Sequence, residues 1–469
     1  MHLGDEGMET ILIVGAGITG LCTAHYTTKQ LQQQNKEARI IVVEANDYIG
    51  GKIHSEQDKG FIMETGADSI VARHPGVLEL IREVDFEEEM VYNETGISYI
   101  HTNNELHAIP AGSTFGIPMS VEALMASTLI SEEGKQRVLQ DAHIPNDRFT
   151  KQSSIGEFLA YFLGEEIVNK QIAPVLAGVY SGDLYQLSLA STLPYLVDYK
   201  NEYGSIMKGF EANRAQFEKA ANKKFISFKN GLSSLLERMR ENMPNVEFRT
   251  STALTALTKT ANGYEAALST GETLHVQHAV LALPNDVVQN VLQAEDLQQH
   301  LTKFTSASAL TVYVGYDVPD SILPADGTGF IVSHNSDLVC NASTWTSRKW
   351  KHTSANNELL VRLFYKNVNP RYEELAAMSD EELTAVACED IQRSLNIEQS
   401  PSVVRITKWI NKMPRYDLAH KEALTNVEQV LATHYPNVYL AGCAYYGVGI
   451  GACIQNGKQT ADKLMNNVR

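Results

Sequence analysis

The sequence predicts an α/β protein, with a discontinuous Rossmann-like sheet for a dinucleotide joined to a β-rich part and a helical part. Three observations predict it. An apolar run, Glu9-Thr10-Ile11-Leu12-Ile13-Val14, leads into Gly15-Ala16-Gly17-Ile18-Thr19-Gly20 and then a helix-compatible stretch. A second run, Arg39-Ile40-Ile41-Val42-Val43, ends in Glu44. Far downstream, Val438-Tyr439-Leu440-Ala441-Gly442 again reads as a strand, followed by the glycine-rich turn Gly447-Val448-Gly449-Ile450 and a helix. Short β-branched runs of this kind form parallel strands buried on both faces.

Between these ends the texture changes twice. Residues 154–240 carry helical spacings, such as Ile155, Phe158, Leu159 and Phe162, then Leu232, Leu235, Leu236 and Met239, and read as largely helical. From 246 the chain turns to strands at 246–249, 263–268 and 279–283, with a turn at 270–272; these are expected to extend the N-terminal sheet. A separate sheet is expected over about 307–366, where 311–316 alternate and 359–365 form an apolar run.

Composition bounds the function. The 469 residues suffice for two to four folding units. A net charge of −17 argues against a nucleic-acid partner, because phosphate neutralisation needs clustered Lys and Arg. Five scattered cysteines, with no C-x-x-C pair, fit a reducing compartment better than a disulfide framework or a zinc ribbon. No run approaches the ~18–20 apolar residues of a membrane span, and the start carries acids where a signal peptide carries bases, so a cytoplasmic protein is expected. Residues 1–7 read as a leader ahead of Met8.

The chemistry begins at the first glycines. Gly15, Gly17 and Gly20 stand where a strand turns sharply, bares its amides to a pyrophosphate and opens a helix. Glu44 ends the next strand, where a carboxylate accepts hydrogen bonds from ribose hydroxyls, which favours FAD or NAD over NADP. A second pair, Gly50-Gly51-Lys52, separates these two, since simple NAD dehydrogenases lack it. No nucleophile with an adjacent base and no H-E-x-x-H is evident, so nucleophilic and zinc catalysis have no footing. His275 and His278 read as solvated rather than metal-ligating, and no metal site is expected.

Gly15 to Gly20, Glu44, Gly50-Gly51-Lys52 and Glu64-Thr65-Gly66-Ala67 together resemble the FAD-dependent amine oxidase superfamily, with Lys52 where Arg is usual. Within it, residues 172–183, Leu187-Ser188-Leu189, Gly204-Ser205-Ile206, Phe228-Lys229-Asn230-Gly231-Leu232 and the closing 439–450 segment are similar to the protoporphyrinogen/coproporphyrinogen III oxidase family of Gram-positive type. The resemblance implies non-covalent FAD held by Gly15, Gly17, Ile18, Thr19, Gly20, Glu44, Gly50, Gly51, Lys52, Gly66, Ala67, Leu254, Trp409, Gly442, Val448, Gly449 and Ile450. For Trp409 a buried core position is the competing reading. Arg73 matches a cation near a substrate propionate, and a plain surface arginine is its alternative.

The implied division is an FAD-binding domain of 8–75, 222–295 and 425–469, a β-rich substrate domain of 76–105 and 296–424, and a helical domain, of a type that faces membranes, over 106–221. The implied activity is oxidation of coproporphyrinogen III, in preference to protoporphyrinogen IX, with dioxygen as acceptor and no catalytic residue beyond the flavin. A flavin amine oxidase, a polyene desaturase and a non-catalytic porphyrin carrier are the alternatives. Peripheral membrane contact and transient contact with haem-pathway enzymes are compatible with this reading.

Overall fold

The computed structural model describes residues 8–469 except 94–95, 181–183, 222–224, 325, 334 and 417–418. The proposed leader and the 181–183 end of the family segment therefore lie outside the described residues. A five-stranded parallel sheet runs in the order Glu247–Arg249, Ala38–Val43, Glu9–Val14, His278–Leu281, Val438–Leu440. Four distant stretches of chain thus supply one sheet.

Period-2 alternation decides what each face covers. Ile11, Ile13, Ile40 and Val42 face a core shared with the helices Ile18–Gln34, Ser233–Glu241 and Ile450–Met465. Leu12, Val14, Ile41 and Val43 face a second core, under an antiparallel sheet of Leu254–Thr260, Gly263–Leu268 and Thr273–Val276 and the helices Asn285–Val291, Glu295–Leu301 and His420–His434. Of the strands expected to extend the N-terminal sheet, 247–249 and 278–281 do so. Strand 263–268 instead joins the antiparallel sheet, because tight turns on either side return the chain on itself.

The β-rich part is a seven-stranded sheet: Val403–Arg415, Thr305–Pro319, Glu358–Lys366, Ala342–Trp345, Gly327–Val332, Ile97–Thr102, Glu105–Ala108. Leu359, Val361, Leu363 and Tyr365 pack beneath the helix Asp380–Leu395. On the opposite face, Tyr313 and Leu360 meet Phe61 and Met63 of the hairpin Ser55–Asp58/Phe61–Glu64, which fastens this sheet to the N-terminal part.

Residues 155–221 are mostly helical, packed around Ile155, Phe158, Phe162, Leu196 and Phe210. In the stretch expected to be helical, Phe225–Phe228 is a strand, paired with Ile70–Val71 and Met90–Tyr92. The helix Val77–Glu83, grouped with the β-rich part on sequence, buries Val77, Leu80 and Ile81 in the first core instead. His278 is also corrected: it is 1% exposed, and its Nε2 lies 3.3 Å from Glu9. Its strand is interior to the parallel sheet, with Val280 packed in the first core and Ala279 and Leu281 in the second, so both faces are covered. Among the described residues no helix is long and apolar enough to cross a membrane, and no three His, Cys, Asp or Glu side chains gather as a metal site.

Candidate functional site: a cradle at two helix N-termini

The helices Ile18–Gln34 and Ile450–Met465 both start at the carboxyl ends of parallel strands, and both start at a glycine, Gly17 and Gly449, without a side-chain cap. Their first-turn amides therefore lack intrahelical partners and present the positive ends of two helix dipoles. The helices are locked against each other where Gly457 passes Cys22 and Thr19, with no room for a Cβ. Gly442 is held between them by its N–H, which donates to the buried Asn456 Oδ1 at 2.8 Å.

The glycines divide by what a side chain would meet. A Cβ on Gly20 would collide with the Gly15 carbonyl, so Gly20 is demanded by the strand-to-helix turn. Gly17 is different. Its φ of −68° suits any residue, and a Cβ there would come no closer than 3.8 Å to protein, at the Gly50 carbonyl. The protein's own packing does not require glycine at 17. Space left open above two bare helix ends fits a dinucleotide diphosphate, which needs close approach to backbone amides.

Around this cradle the structure gathers most of the residues named from sequence. Gly50 N–H donates to Ala16 O at 2.9 Å and Gly17 bridges to Gly50, which brings the second glycine pair alongside the first. Glu44 is 7% exposed; its carboxylate accepts from Ala16 N–H and Asn46 N–H, both at 2.9 Å, and so is fixed at the strand end. Leu254 starts its strand just after Thr252, whose N–H donates to the Glu44 carbonyl. Lys52 Nζ reaches Cys443 Sγ at 3.4 Å, and its carbonyl accepts from Ala67 N–H at 3.0 Å. Val448 is 58% exposed beside Gly449, an apolar side chain left bare at the rim.

Trp409 is half-buried. Its indole donates to Thr65 O at 2.9 Å and lines an open cleft of about 510 Å³ with Thr65, Tyr48, His54 and Arg405, so it walls a cavity instead of filling the core. Arg73 is exposed and makes no hydrogen bond or ion pair with any described residue. Its neighbour His74 packs onto Gly451 at the start of the last helix, which places Arg73 at the cradle's edge.

Sequence reasoning missed Arg362. It is 3% exposed, lies over Tyr313 and Phe364 and donates to Gly66 O at 3.0 Å, while its Nε finds no partner among the described residues. A single cation in the apolar run 359–365 was the available signal; strand alternation turns it away from the core, toward residues 64–66. Asp68 lies nearby. Burial alone would raise its pKa, but the Lys349 and Arg362 charges and the Ser69 hydroxyl hold the carboxyl below its ordinary value. Asn456 was missed too, a polar residue on the apolar face of the last helix.

Burial pushes the Glu64 carboxyl up to about 7, against the pull of the Leu232 N–H and the Ser55 hydroxyl, each 2.8 Å away. The folded chain therefore holds this proton more tightly than the unfolded chain. The stability it contributes is complete below about 4.5 and is lost as pH rises through about 7. Glu64→Gln should abolish that loss. Thermal melts from pH 4.5 to 8 should show the variant gaining on the wild type by up to about 3 kcal/mol across the window. A constant difference would exclude a titrating Glu64.

Residues 18–465 match the family described as flavin containing amine oxidoreductase. The chain is 31% identical to coproporphyrinogen III oxidase of Bacillus subtilis (strain 168), over 97% of each chain. It is 28% identical to the enzyme of that name from Staphylococcus aureus, over 97% of this chain and 99% of that one. Among solved structures, a provisionally assigned protoporphyrinogen oxidase from Exiguobacterium sp. 255-15 superposes with a TM-score of 0.86 at 31% identity, covering 98% of this chain and 99% of the other.

Proposed function

Because the chain belongs to the flavin-containing amine oxidoreductase family, we propose that it is an FAD-dependent oxidase that converts coproporphyrinogen III to coproporphyrin III in haem biosynthesis. The observation that carries the cofactor is the paired cradle at Gly17 and Gly449, with Glu44 fixed beside it. The observation that supports the substrate is the near full-length likeness to two coproporphyrinogen III oxidases.

FAD held there would supply two-electron acceptor chemistry, used three times in the six-electron oxidation, with three dioxygen molecules as the final acceptors and three hydrogen peroxide molecules as their product. The chain's residues do the rest. The amides of Ile18, Thr19 and Gly20 and of the Ile450 turn hold the diphosphate, and Glu44 orients the adenosine ribose. Gly50, Gly51, Lys52, Gly66, Ala67 and Trp409 frame the flavin end. Arg362 and Trp409 pin the carbonyls of Thr65 and Gly66 and so keep that wall rigid. Porphyrinogen oxidation leaves an aromatic macrocycle, so the protein needs no strong acid or base; it must hold the reacting carbon in place and exclude water.

The domain division belongs to the same reading: 8–75, 222–295 and 425–469 for FAD, 76–105 and 296–424 for substrate, and 106–221 for the helical part. Packing of Val77, Leu80 and Ile81 favours moving the helix Val77–Glu83 to the FAD part. A cytoplasmic site of action, with contact at a membrane surface or with other haem-pathway enzymes, completes the proposal.

The test is porphyrin fluorescence in air, with FAD-loaded protein given coproporphyrinogen III beside protoporphyrinogen IX, each corrected for spontaneous oxidation. Faster coproporphyrin formation is expected; acceleration of neither would overturn the proposal. Arg73 is proposed to pair with a substrate propionate. Arg73→Ala should raise KM about tenfold, the loss of about 1.4 kcal/mol, with FAD content and kcat kept. Unchanged KM would remove that role.

A further inference from the structure

The second glycine turn of the cradle is not held open by its own backbone. Tyr446 N–H donates to the Gly442 carbonyl, four residues back, at 3.1 Å, which starts a helical turn. The next step of that ladder would join Gly447 N–H to the Cys443 carbonyl. A phenol stands between them instead: Gly447 N–H donates to Tyr416 Oη, and Tyr416 Oη donates to Cys443 O at 2.7 Å. A side chain inserted into the i→i−4 ladder bends the chain away from a helix. The backbone then reverses at Gly447, with a φ of +117°, and reaches Gly449, where the last helix begins.

Core packing does not account for this tyrosine, which is 43% exposed. Its ring is fixed by His420, stacked on it with centroids 3.9 Å apart. His420 is buried, and its Nε2 lies 2.9 Å from the Tyr445 carbonyl; a carbonyl only accepts, so Nε2 carries the proton and donates. Phe304 meets the rings of both His420 and Tyr445 edge-on. Tyr416 also follows directly on the strand Val403–Arg415, whose Trp409 pins the Thr65 carbonyl. One strand of the β-rich part thus touches the cleft wall and the second glycine turn. On the basis of the FAD reading above, we propose that Tyr416 is a positioning residue of the cofactor site, whose phenol holds this turn open so that the bare helix end at Gly449 receives the diphosphate. Without the hydroxyl, Gly447 N–H and Cys443 O turn to each other or to water. Both bonds lie near solvent, so little stability is lost, but Gly447 to Gly449 are no longer held in one place.

Tyr416→Phe keeps the ring against His420 and removes only the oxygen. Tyr446→Phe is the control, since Tyr446 lies in the same turn but its phenol donates to the Glu428 side chain, at 2.7 Å. FAD-loaded wild type and variants are diluted into FAD-free buffer, and flavin release is followed by fluorescence. Tyr416→Phe should release FAD about tenfold faster than the wild type, and Tyr446→Phe at the wild-type rate. Amide hydrogen exchange of the FAD-free chains is the second measurement. In Tyr416→Phe it should be faster across 443–449 and unchanged elsewhere, whereas a general loss of stability would speed it throughout. Equal release from Tyr416→Phe and the wild type, equally faster release from both variants, or faster exchange spread over the whole chain would each overturn the proposal. A wild type that binds no FAD would overturn the FAD reading and this positioning role with it, and the exchange of 443–449 would still show whether the phenol holds the turn. A wild type that keeps FAD beside an equally retentive Tyr416→Phe would overturn the positioning role alone.

Discussion

Gly17→Val is expected to give a protein that folds, melts within a few degrees of the wild type and purifies without the yellow colour of bound flavin. The new Cβ enters space that the protein leaves open, with the nearest protein atom 3.8 Å away and a backbone φ of −68° that valine accepts. The two γ-methyls then project above the bare amides of Ile18 to Gly20, where a diphosphate must come to hydrogen-bond distance. Losing two charge-assisted bonds worth about 1.5–3 kcal/mol each weakens FAD binding by about 10²- to 10⁴-fold. Flavin absorbance per mole of protein, read with circular dichroism, separates the outcomes. A folded variant with full FAD would remove Gly17 from the binding site. Gly20→Val is the contrasting case, in which the side chain collides with the Gly15 carbonyl and the fold itself is expected to fail.

Lys200→Met should cost about 3–5 kcal/mol of stability. Lys200 and Asp141 are paired at 2.7 Å with both side chains 0% exposed, the ammonium also donates to the Gly204 carbonyl, and Asp141 accepts from the Ser205 hydroxyl and the Ile206 N–H. Removing the cation leaves an ionised carboxylate buried, with only neutral donors around it. Chemical denaturation should show the loss at neutral pH. Asp141→Asn with Lys200→Met together should recover part of it, since neither buried charge then remains. Equal losses for the single and double variants would refute the account.

Much of this architecture could be read in the chain because its signals are local. Ile11 to Val14 and Ile40 to Val43 announce a strand buried on both faces, and Gly15, Gly17 and Gly20 announce the turn. The sheet assignment of 263–268 failed because alternation says a strand exists without saying which neighbour it pairs with. His278 misled because a polar residue in a short run reads as surface until the strands on both sides are known. Arg362 and Asn456 escaped for a related reason: each is defined by a carbonyl or amide that approaches from another part of the chain, and spacing carries no record of that approach. Lys52 and Cys443, distant in sequence, are likewise joined only by the sheet order.

The sheet order also bears on how the molecule is made. The first strand pairs with residues 278–281, and the first helix rests on the last, where Thr23 Oγ1 reaches the Gly457 carbonyl. These are contacts of very high sequence separation, and the entropy of closing such loops must be met before they form. On the ribosome the first glycine turn emerges early and waits, since its companion turn is translated only after residue 441. A nascent chain therefore holds only the first of the two helix termini until synthesis is nearly over. A message that stops before residue 442 would yield a chain whose first core lacks Ile450, Ile454 and Leu464 and which has no second helix terminus.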